Sequence, residues 1–129
     1  MTDPVYSLAA VLAILQVKHF ICDYTLQNSY QLLNKGTYLH PGGLLHAGLH
    51  AFFTMAVFLV VLPTLALGLG IIVGEFLVHY HIDWAKEQVI RHTGWTPAQA
   101  QFWWAIGFDQ LLHQWTYIVI AGLLAGLFL

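Results

Sequence analysis

The stretch "GFDQLLHQW" at 107–115 decides how this chain is read. Leu111 and Leu112 suit a hydrocarbon environment. Asp109 and His113 stand one helical turn apart beside them and do not. An ionisable side chain inside a membrane segment is costly, so it is paired or belongs to a site. The fold follows from what else in the chain could meet Asp109.

The surroundings of that stretch are those of a membrane protein. Of 129 residues, 59% are hydrophobic and only 8% are charged. The mean hydropathy is +0.70. A soluble domain carries about 25% charged residues, so the composition places the chain in a bilayer as a single domain, 1–129. A net charge of −2 with no basic run excludes a nucleic-acid partner. Cys22 is the only cysteine, so no internal disulfide forms. Eight histidines against four lysines and arginines is the unusual entry, because histidine ligates metals and carries protons.

A membrane helix needs about 20 mostly apolar residues. Four runs qualify: Val5 to Gln27, Gly43 to Leu62, Leu65 to Gln88, and Ala98 to Leu129. Asp3 and Pro4 precede the first directly, without the charged region of a signal peptide, so it reads as a retained span. "PGG" at 41–43 opens the second, and "LPTL" at 62–65 is a tight turn. Thr96 and Pro97 suit the N-cap and first position of the fourth helix. Trp95, Trp103 and Trp104 fit an interfacial aromatic belt, and Gly68, Gly70 and Gly74 fit close helix packing. Short connections predict an all-α, integral membrane, up-down four-helix bundle. Lys35, Lys86 and Arg91 lie in or beside the loops after the first and third spans. The positive-inside rule then puts those loops in the cytoplasm and both termini outside.

Each predicted helix carries one polar pair spaced i, i+4. "HFICD" gives His19 and Asp23, "HAGLH" gives His46 and His50, "HYHID" gives His79 and Asp83, and "DQLLH" gives Asp109 and His113. That spacing puts both members of a pair on one helix face. The first and third pairs lie near the C-terminal ends of their spans, the second and fourth near the N-terminal ends. In an up-down bundle all four converge at one depth, toward the basic side. Asp109 is expected to face a cluster of its own kind.

Five histidines and three aspartates in a bundle core point to a metal site. Helical bundles build di-metal centres from carboxylates and imidazoles on facing helices. The three carboxylates carry −3, which two divalent cations with a hydroxide or an anionic substrate would balance. Nitrogen and oxygen ligands suit Zn, Fe or Mn. Glu75, one turn before His79, is an extra ligand, a general acid or base, or a hydrogen-bonded support. Lys86, one turn beyond Asp83, either holds an anionic substrate group or snorkels to headgroups. Gln27 and Gln110 can orient ligands or bond a neighbouring helix. His81 lies about 200° round the helix from His79 and faces away. His40 and His92 fall in loops, and Cys22 reads as a small packing residue.

The pieces "HFICDYTLQ", "LLHAGLH", "HYHIDWAK" and "FDQLLH", in this order, resemble a bacterial membrane-protein family known as domain of unknown function 3307. The resemblance implies a small integral protein, in bacteria of the inner membrane, with His19, Asp23, Gln27, His46, His50, His79, Asp83, Lys86, Asp109, Gln110 and His113 at the matching positions. The layout is also similar to membrane-bound metal-dependent hydrolases. The expected function is a membrane-embedded di-metal hydrolase acting on a phosphoester or amphipathic lipid at the cytoplasmic interface. "HAGLH" has no internal Glu, so it is not the HExxH helix of zinc proteases. The alternatives are a metal or proton transporter, a di-iron oxidase, and a structural membrane subunit. The polar residues lie on one side only, which disfavours transport, and haem does not need three aspartates beside its ligands. Much apolar surface faces lipid, which a homodimer would cover.

Overall fold

The structure is a computed structural model that describes residues 3–127. It is all-helical, with no strand among the described residues. Helix α1 spans Pro4–Phe20 and continues as a wider π-helical turn, Ile21–Leu26. Helix α2 is short, Ser29–Asn34. Helix α3 spans Pro41–Thr54 and tightens into a 3₁₀ segment, Met55–Leu59. Helices α4, Leu65–Thr93, and α5, Ala100–Ala125, are the longest. Five helices therefore replace the four expected, because the segment after the first span folds back as α2 rather than running as a loop.

Among the described residues, three stretches are long and apolar enough to cross a membrane: Pro4–Leu26, Pro41–Leu59 and Leu65–Thr93. Helix α5 has the length, but Asp109, Gln110, His113 and Gln114 lower its hydropathy. The fourth span was expected to run to Leu129. Its helix ends at Ala125, and residues 128 and 129 lie outside the described residues.

Local chemistry explains most boundaries. The Asp3 carboxylate accepts from the Val5 N–H at 2.8 Å, with Pro4 in the first turn. His40 Nδ1 accepts from the Gly42 N–H at 3.0 Å and caps α3, so this ring serves the backbone. A Cβ at Gly42 would stand 2.6 Å from the Tyr30 carbonyl oxygen, so the fold-back of α2 onto α3 needs glycine here. Gly94, at φ 68°, ends α4 in the left-handed conformation that glycine adopts without strain. Thr96 and Pro97 do not start the last helix. The Gln99 side chain accepts from the Thr96 N–H and the Trp103 indole donates to the Pro97 carbonyl, closing a turn that delays α5 to Ala100. Gly68 packs against Pro63 and Phe58, but a Cβ at Gly70 or Gly74 would meet nothing within 4 Å, so those two are not helix contacts.

The four long helices pack in a ring, α1 on α3, α3 on α4, α4 on α5 and α5 back on α1, with α2 against α3. One half of the interior is an apolar core that includes Val11, Leu15, Val57, Ile71, Ile120 and Leu124. The other half holds most of the buried polar residues; Ser7, at the far end of α1, is an exception.

Candidate metal centre

All eight paired residues meet in that polar half. The His79 ring lies between His50 and His113, with centroid separations of 3.8 and 4.1 Å. His46 is 4.7 Å from His50 and His19 is 5.4 Å from His113. Asp23 Oδ1 lies 3.0 Å from His50 Nε2 and 3.3 Å from His46 Nε2. Asp83 Oδ2 lies 3.3 Å from His46 Nε2 and 3.5 Å from His79 Nε2. Asp83 Oδ1 and Asp109 Oδ1 are each 3.5 Å from His113 Nε2. Asp83 thus stands between two sets of donors, one oxygen toward each.

Among the described residues, two groups have ligand atoms close enough together to hold an ion: Asp23, His46, His50 and His79; and His79, Asp83 and His113. Asp109 borders the second group. His19 is differently engaged. Its Nε2 is 2.9 Å from Gln110 Oε1, which can only accept, and its Nδ1 is 2.6 Å from the Tyr117 hydroxyl. With both nitrogens hydrogen-bonded, His19 orients Asp23, whose Oδ2 is 3.0 Å away.

His46 has the opposite arrangement. Its Nδ1 faces Gln31 Oε1 at 3.4 Å, and a proton on Nδ1 would leave Nε2 as the ligand atom turned to the cluster, between Asp23 Oδ1 and Asp83 Oδ2 at 3.3 Å each. His46 Nε2, both nitrogens of His79, Asp83 Oδ2 and Asp109 Oδ1 are buried and have no hydrogen-bond partner among the described residues. Asp83 Oδ2 does lie 3.1 Å from Lys35 Nζ, an ion-pair contact without hydrogen-bond alignment. Buried polar atoms are usually partnered, so several orphans in one place mark a strained or ligand-binding cluster.

A family model described as "Protein of unknown function (DUF3307)" matches residues 11–128. The chain belongs to this family. No curated protein and no solved structure matches it. The family match covers every residue of the cluster.

The sequence pattern missed four contributors to this family member's polar interior. Lys35, read as a cytoplasmic loop charge, is buried against Asp83. Gln31, one turn earlier, supports His46. Lys18 is buried on the neighbouring side, paired with Glu75 and donating to the His50 carbonyl at 3.1 Å. Tyr117 holds His19. Lys18–Cys22 and Gln31–Lys35 share the i, i+4 spacing of the recognised pairs, but neither combination resembles a metal-ligand pair. Glu75 sits one turn below His79, tied to Lys18 and outside both ligand groups. Lys86 Nζ lies 3.3 Å from Glu87, 3.8 Å from Asp109 and 3.9 Å from Asp83. His81 is exposed and bonded to Tyr38, as its angular position predicts. His92 bonds the Gln88 carbonyl within α4, and Gln27 bonds the Asp23 carbonyl.

Asp23 owes its reach to the π-helical turn. The wider turn re-aims side chains, and such turns recur at functional sites. Here it directs one carboxylate to His19, His46 and His50 together.

Proposed function

We propose that this chain is a four-span, up-down membrane bundle carrying a di-metal centre, and that it hydrolyses a phosphoester or lipid-like substrate. The observation that carries the metal is the spacing of the orphaned atoms. A tetrahedral ion with bonds of about 2.0–2.1 Å has ligand-to-ligand edges of about 3.3 Å. The contacts of His46 Nε2 with Asp23 and Asp83 are both 3.3 Å, without the alignment of hydrogen bonds. Asp23, His46, His50 and His79 supply the first ion, and His113, Asp109 and the second oxygen of Asp83 supply the other. Zn, Fe and Mn suit this donor set.

Metals so held would activate a water and neutralise charge on an attacked phosphoryl group. Lys86 is the residue available to the substrate's oxygens, while Glu75, engaged by Lys18, positions rather than reacts. The spans are supported by exposed Trp103 and Trp104 near the start of α5, where an interfacial belt would lie. The cytoplasmic direction of the site rests on Lys86 and Arg91, since Lys35 is engaged within the cluster. A transporter is disfavoured by the apolar core that closes the other half. A homodimer covering the lipid-facing surface fits the many exposed apolar side chains.

A second reading has its own observation. Lys35 beside Asp83, and Lys86 beside Asp83 and Asp109, offset two of the three carboxylate charges without any ion. The cluster would then be a structural clasp. Elemental mass spectrometry on purified wild type, His46→Ala and Asp83→Ala separates the two. About two transition-metal ions per wild-type chain are expected, reduced in both variants. A folded wild type that holds no metal after reconstitution supports the clasp. Metal-loaded protein should also turn over members of a phosphoester and lipid panel; full loading without turnover removes the hydrolase and leaves the metal site.

A further inference from the structure

A groove of about 560 Å³ runs between α4 and α5, along Leu77, Ile82 and Val89 on one side and Phe108 and Leu112 on the other. A second cavity of about 390 Å³ shares Val78, Ile82 and Leu112 with it and continues to Val119. The two form one seam. It is apolar apart from His81, whose ring is held by Tyr38 and the Leu77 carbonyl, Thr116, whose hydroxyl donates to the Leu112 carbonyl, and Lys86 and Asp109.

Those two residues belong to the polar half of the interior. From Asp109 to Val119 the seam follows α5 for about 15 Å at 1.5 Å per residue. That is half of a hydrocarbon core of about 30 Å, the depth of one leaflet. Lys86 and Asp109 lie near the end toward the α4–α5 connection, with Val89 and Ala105 about one turn beyond them, and the apolar run to Val119 points toward the bilayer centre, the orientation of a lipid. All three carboxylate contacts of Lys86 Nζ, at 3.3, 3.8 and 3.9 Å, are longer than the ~2.7–2.9 Å of a charge-assisted hydrogen bond. The ammonium therefore keeps donors for another oxygen. The comparable groove on α1 and α3, about 320 Å³, also reaches a lysine, but Lys18 there is engaged by Glu75 and the His50 carbonyl.

We propose that the α4–α5 seam is a lateral binding site for a phospholipid-like substrate, taking its acyl chain along Ile82, Leu112 and Val119 and its headgroup phosphate on Lys86. The membrane placement and the hydrolase reading above underlie it, and it adds the substrate class and the route. The substrate reaches the cluster from the bilayer, without crossing water.

The test is photolabelling in phosphatidylcholine vesicles doped with a phosphatidic acid that carries a diazirine on its acyl chain. Labelled peptides are mapped by mass spectrometry in wild type, Lys86→Gln and Ile82→Trp, with metal content measured on the same samples. Label should concentrate on the seam over the α1–α3 groove. It should fall about tenfold in Lys86→Gln, as for loss of one charge-assisted contact. Ile82→Trp should block the seam while metal content stays at the wild-type level. Equal labelling of the two grooves, or seam labelling unchanged in both variants, overturns the proposal. Selective labelling of a protein that binds no metal supports the lipid site while removing the hydrolase reading. Metal binding without selective labelling overturns the lipid site alone.

Discussion

Along α5 the buried residues change character over four turns: Asp109 and His113, then Tyr117, then Ile120 and Leu124. Helix α3 does the same through His46, His50, Thr54 and Val57. Helix α4 runs the other way, from Ile71 through Glu75 to His79 and Asp83. The two halves of the interior are therefore built on the same four helices with opposite chemistry. The apolar half is held chiefly by packing, with small and branched side chains filling the space between helices. The polar half holds several atoms that packing cannot satisfy. Lys18, Glu75, Thr54 and Tyr117 form the layer between them: Lys18 pairs with one oxygen of Glu75, Thr54 donates to the His50 carbonyl and Tyr117 meets His19, while Glu75 Oε2 has no hydrogen-bond partner among the described residues. A helix bundle can thus bury a donor cluster if a layer of interhelical polar contacts separates it from the hydrocarbon-like core.

That comparison can be broken at its boundary first. Glu75→Ala leaves the Lys18 ammonium buried beside His50 with no carboxylate. Breaking one side of a buried pair costs about 3–5 kcal/mol, and replacing both sides by apolar residues costs far less. Unfolding in detergent should therefore show a large loss for Glu75→Ala and its recovery in the Lys18→Met, Glu75→Leu double variant. If the double variant is no better than the single one, the pair is not a self-contained layer.

In the apolar half, Leu15→Ala should cost about 2–5 kcal/mol through the cavity it leaves. Metal per chain should remain at the wild-type value. Loss of metal in this variant would mean that the two halves are one cooperative unit, contrary to their chemical separation.

A smaller effect tests the polar half alone. Gln31→Ala removes the acceptor that fixes the His46 tautomer, and loss of such a support typically weakens metal affinity about 10–100-fold. Chelator competition reads that change, and stability should move little. An unchanged affinity would show that His46 is held in its ligating form by something other than Gln31.

The sequence carried the cluster further than it carried the boundaries. The i, i+4 spacing of the four pairs and their alternating position along the spans were enough to bring His19, Asp23, His46, His50, His79, Asp83, Asp109 and His113 to one depth. The starts of the first two long helices were legible in outline from Asp3–Pro4 and "PGG" at 41–43, whereas the caps made by Asp3 and His40 were not. The last helix was misread because Thr96 and Pro97 make a good N-cap signal, yet the Gln99 and Trp103 side chains stabilise a competing turn. Helix α2 was missed because "SYQLLN" is too short to show a helical period, and its fold-back depends on contact with α3.

By itself, the sequence determined an all-helical apolar chain whose ionisable residues had to be turned inward together. Long helices and their faces follow from local periodicity and from the cost of exposing charge to hydrocarbon. Only the tertiary structure decided how those charges are offset. Lys18 and Lys35 become partners of Glu75 and Asp83 across separations that no local pattern encodes. The π-helical turn selects where Asp23 points, and contacts between helices separate His46, whose Nε2 has no hydrogen-bond partner, from His19, both of whose nitrogens have one. Those distinctions arise from contacts between helices, where a shift of about 1 Å decides whether a hydrogen bond is made or a lone pair is left for a metal.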